Sequence, residues 1–75
     1  MDRELEALVK AYDAVNQARG SAEHQRLLIL YENLISDALS RRPGLHRDSL
    51  GRAIRVAHRK WLVAQHQPPT IPPQA

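Results

Sequence analysis

Cysteine and phenylalanine are absent from this 75-residue chain, and Tyr12, Tyr31 and Trp61 are its only aromatic residues. Without thiols there is neither a disulfide framework nor a thiolate metal site to staple the fold. Redox chemistry therefore leaves the compartment open, and a cytoplasmic protein is the expectation. No apolar run approaches the roughly 20 residues of a membrane span, and the opening Met1-Asp2-Arg3-Glu4-Leu5-Glu6 has no apolar signal region. The chain is thus expected to be soluble and unprocessed, with no membrane association. Glycine occurs only at Gly20, Gly44 and Gly51, too scattered for a phosphate-cradling loop. What is left for a core is Leu, Ile, Val and Ala, a composition that favours helix over sheet. A chain this short buries only about 60% of its unfolded surface, so one marginal domain is the upper bound and self-association would strengthen it.

Charge is plentiful and unevenly placed. From Met1 to Ser40 four bases face seven acids, a net of −3; from Arg41 onward seven bases face Asp48 alone, a net of +6. The overall +3 conceals this opposition. It points either to an anionic partner for the C-terminal half or to one half neutralising the other inside a bundle.

Periodicity predicts three helices, over about 2–19, 21–40 and 48–67, in an all-α, three-helix antiparallel bundle spanning 1–67. At about 100° per residue, Leu5, Leu8, Val9, Tyr12 and Val15 share one face of the first helix, which Gly20 closes. Ala7, Ala11, Ala14 and Ala18 form a stripe of small side chains beside that face, a candidate association surface. Ser21 is the expected N-cap of the second helix. Its apolar set, Leu27, Leu28, Leu30, Tyr31, Leu34, Ile35, Ala38 and Leu39, covers about half the circumference. A face that wide asks for two neighbours, so this helix is expected either at the centre of the bundle or against a second copy of the chain. Ile29 falls on its polar side. Pro43 and Gly44 break the chain, and Asp48 is the expected start and cap of the third helix. There Leu50, Ile54, Ala57, Trp61 and Ala64 advance with the spacing of a packed seam. The prolines of 68–75 predict a disordered tail, and its Pro69-Thr70-Ile71-Pro72 is a weak polyproline-ligand match.

Opposite the Trp61 seam lie Arg52, Arg55, Arg59 and His66 within about 60° of one another, with Lys60 at the flank. Guanidinium groups one turn apart can hold several phosphates or carboxylates at once, and the alternative is a solvated face answered by acids of the first two helices. Arg41, Arg42 and Arg47, with the Ser49 hydroxyl, surround the start of the same helix, where backbone N–H groups and the dipole favour an anion. Val56 and Val63 form an apolar edge beside the arginines.

Catalysis and metal binding find little to build on. His24, His46, His58 and His66 show no i, i+4 pair, and His24 reads as a partly buried structural residue. No serine sits in the strand-turn-helix elbow of a hydrolase. A helix-turn-helix would need a turn of about 3–4 residues, shorter than the Arg41–Arg47 segment. The expectation is a small non-enzymatic interaction module that needs no cofactor or metal and has no small-molecule substrate. It is a homo-oligomer or binds a protein partner through its basic third helix. A nucleic-acid-binding protein using that helix and the Arg41–Arg47 turn is the competing reading.

Overall fold

The computed structural model describes residues 2–66, with the side chain of His66 outside the description. The proline-rich segment 68–75 and its P-x-x-P match therefore lie outside the described residues. The fold is all-α: α1 spans Arg3–Gln17, α2 Glu23–Arg41 and α3 Arg47–His66.

Local chemistry sets the ends of these helices. Glu4 and Glu6 stand in the first turn of α1, where negative charge complements the dipole. At the other end Gly20 takes φ +83°, a left-handed conformation that favours glycine. Ser21 organises the turn that follows: its hydroxyl donates to the Ala18 carbonyl (2.7 Å) and accepts from the Glu23 N–H (3.3 Å). The N-cap position itself belongs to Ala22, one residue later than expected for Ser21. After α2, Gly44 at φ +92° turns the chain, and the Leu45 N–H donates to the Arg42 carbonyl at 3.1 Å. The His46 carbonyl accepts from Leu50 N–H (3.0 Å), which starts α3 at Arg47 and leaves Asp48 within its first turn.

The core is built from Leu8, Val9 and Val15 of α1, Tyr31, Ile35 and Ala38 of α2, and Leu50, Ile54 and Ala57 of α3. Val9 and Ile54 are fully buried, and Trp61 packs half-buried against this cluster. The central helix is α1, which packs against both others, whereas α2 and α3 barely meet. This corrects the first of the two placements expected for α2, at the centre of the bundle. The reason lies in the angular spread of the buried positions: Leu8 and Val9 are about 100° apart on α1, so one flank serves each neighbour. The apolar row of α2 consequently stays partly uncovered, with Leu30 52% and Leu34 37% exposed. Contact between Glu4, near the start of α1, and Arg41, at the end of α2, runs these helices in opposite directions. The Asp13–His58 contact and a groove shared by Leu5 and Ser49 run α3 alongside α1 in the same direction.

Candidate interaction surface

The bases of the C-terminal half fall into two groups. Arg41 donates from both Nε and Nη2 to Glu4 Oε2, at 2.9 and 2.7 Å. Arg42 donates to Glu4 Oε1 at 2.9 Å and to Asp2 Oδ2 at 3.1 Å. The hydrogen bond from Arg41, then that from Arg42, hold the Glu4 carboxyl below the usual carboxylate range against the opposing effect of burial. Arg47 is paired with Glu32 of α2. The anions gathered around the start of α3 are therefore the chain's own carboxylates. Ser49 is exposed nearby.

Further along α3 the pattern changes. Arg52, Arg55, Arg59 and Lys60 are exposed, and among the described residues none has a carboxylate within 4 Å. Arg55 lies on the flank toward α2: its guanidinium folds back over Gly51, 3.5 Å from where a β-carbon there would sit. Burial raises the pKa of the Tyr31 hydroxyl, reinforced by Tyr12, while Arg55 and Arg47 pull it the other way. Arg52 and Arg59 fall on the side of α3 away from its core seam, with Lys60 at the flank. Between them run Val56 and Val63, 48% and 60% exposed. Leu5 of α1 joins Ala53, Val56 and Ala57 in the floor of an open groove, with Arg52 and Lys60 at its edge. The result is a mixed surface: apolar along its middle, cationic at its margins.

Sequence reasoning passed over one further constellation. The His58 ring Nε2 lies 3.0 Å from Asp13 Oδ1, with both side chains only 12–13% exposed. Tyr12 meets the His58 ring edge-on at 5.0 Å between centroids, Trp61 stacks on it at 6.0 Å, and Tyr31 lies 5.6 Å from Tyr12. Gln17 donates to Asp13 Oδ2 at 2.7 Å. A histidine and a carboxylate enclosed in this way tie α1 to α3. The available signal was that His58 falls beside Ile54 and Trp61 on the seam of α3, but its partner is 45 positions away in sequence.

The remaining sequence-predicted positions divide by burial. Of the alanine stripe, Ala7 is exposed, Ala14 and Ala18 are half-buried, and Ala11 packs against the core. His24 is half-buried. Among the described residues no three His, Asp or Glu side chains converge as a metal site, and no helix is long and apolar enough to cross a membrane. No known protein family, no curated protein and no solved structure matches the chain.

Proposed function

We propose that this chain is a non-enzymatic, self-associating helical module that offers the outer face of α3 to an acidic protein partner. One observation carries the reading: Arg52, Arg59 and Lys60 border the exposed Val56 and Val63, with no carboxylate of the described fold within reach. A phosphate backbone would satisfy the cations and leave the valines against a polar ligand. An acidic amphipathic protein surface matches both, because burial of the valines adds to the charge attraction. The absence of enzymatic activity is supported by the enclosure of the His58–Asp13 pair behind Tyr12 and Trp61. A cytoplasmic setting agrees with the lack of cysteine.

Fluorescence titration against two probes tests this reading: an amphipathic helical peptide of alternating Glu and Leu turns, and mixed-sequence DNA and RNA. Peptide binding should survive moderate salt, and Val56→Gln with Val63→Gln should weaken it as much as Arg52→Gln with Arg59→Gln. The nucleic-acid reading predicts instead that log affinity falls with log salt by about 0.7–0.9 for each phosphate contacted. A steep slope together with indifference to the valine substitutions would overturn the protein-partner reading.

A further inference from the structure

The open face of α2 has a charge order that fits itself. At about 100° per residue, Glu23, Arg26, Leu27, Leu30, Leu34, Asp37 and Arg41 lie within an arc of about 100°. Leu30 and Leu34 stand at its centre, 52% and 37% exposed, and the charged members are exposed. From this order we infer that α2 is the contact helix of a two-fold homodimer, in which it packs antiparallel to α2 of a second copy about an axis near Glu32. This rests on the self-association proposed above and names its surface.

The antiparallel register follows from pairing positions equidistant from that axis. Leu30 of one copy meets Leu34 of the other, and the reverse, so four leucines close the middle. Glu23 then faces Arg41, and Arg26 faces Asp37 with an offset of about one residue, or 1.5 Å, which long side chains absorb. Each opposition occurs twice, as a two-fold interface requires. Parallel pairing would instead set each of these charges against its own kind and is repelled.

Commitments within the monomer leave these groups available. Asp37 has no cation within 4 Å among the described residues, and Arg26 has only Glu23, at 3.9 Å. Arg41 is engaged by Glu4, yet its side chain remains 61% exposed and can accept a second carboxylate. The surface lies away from Arg52, Arg59 and Lys60, so dimerisation keeps both basic faces open.

Sedimentation velocity on the full chain, with Arg26→Glu, Asp37→Arg and Leu30→Gln variants, tests the inference. The unmodified chain should sediment as a dimer at high micromolar concentration. Arg26→Glu and Asp37→Arg should each weaken dimerisation by a factor of about ten or more, since each sets like charges together twice. An equimolar mixture of those two variants should recover the dimer, because the acid introduced in one copy then meets the base introduced in the other. Leu30→Gln should give monomer with helical circular dichroism unchanged. A monomeric unmodified chain would overturn both self-association and this interface. A dimer whose mass ignores the charge reversals, or a mixture that fails to recover it, would overturn this interface alone.

Discussion

Arg41, Arg42 and Arg47 differ from Arg52, Arg55, Arg59 and Lys60 neither in residue class nor in being exposed, yet the first three all hold carboxylates and the last four hold none within 4 Å among the described residues. The difference is one of neighbours. Where the chain leaves α2, it passes the beginning of α1, which supplies Asp2 and Glu4, and the start of α3 comes within reach of Glu32. Farther along α3, no carboxylate of α1 or α2 among the described residues comes within 4 Å of Arg52, Arg55, Arg59 or Lys60. A run of bases that sequence presents as one patch is thus two groups: an internal clamp and an exposed set that no carboxylate of the described residues answers.

Ile54, fully buried on the inner side of α3, should give the largest effect on stability. Ile54→Ala should cost about 2–5 kcal/mol in chemical denaturation and remove the scaffold beneath both groups of bases. If the midpoint stayed unchanged, α3 would not be anchored through this face.

His58→Ala comes next. It leaves Asp13 almost enclosed without its α3 partner and should cost about 1–3 kcal/mol beyond lost packing, read from the same denaturation curves.

The clamp has its own pH signature. Folding lowers the Glu4 pKa, so its contribution is fully present above the unfolded value of about 4.3 and is lost as pH falls through the folded value. Thermal melts across acidic pH should therefore show a flatter acid decline in Glu4→Gln than in the unmodified chain. Equal declines would mean that Arg41 and Arg42 do not hold this carboxylate in solution.

Smaller effects separate the two groups directly. Arg47→Gln breaks an exposed pair and should cost about 0.2–1 kcal/mol. Replacing Arg52, Arg55, Arg59 and Lys60 together by Gln should stay within about 1 kcal/mol, because no partner is removed, while binding of an acidic partner is lost. A large drop in melting temperature from the fourfold change would show that these cations serve the fold after all.

Helix number, approximate helix ends and most of the core faces were legible because they depend on short-range periodicity. Leu50, Ile54 and Ala57 are buried where a 3.6-residue period places them, and Ile29, Val56 and Val63 are exposed where it places them. Gly20 and Gly44 mark turns because few other residues adopt their positive φ. The caps were less legible. Asp2 spends its carboxylate on Arg42 and makes no side-chain cap, so a tertiary ion pair displaced a local one.

By itself the sequence determined an all-α chain with opposed charge in its two halves and a third helix that is apolar inside and basic outside, since these properties depend on residues within a few turns of one another. Only the tertiary structure decided that α1 is central, that Leu30 and Leu34 of α2 remain open, that His58 finds Asp13, and which arginines are consumed by Asp2, Glu4 and Glu32. These outcomes follow from which helix flanks are brought together across separations of 15 to 45 residues. Charge counts and helical periods carry no term for that distance, because they describe each segment before it has neighbours.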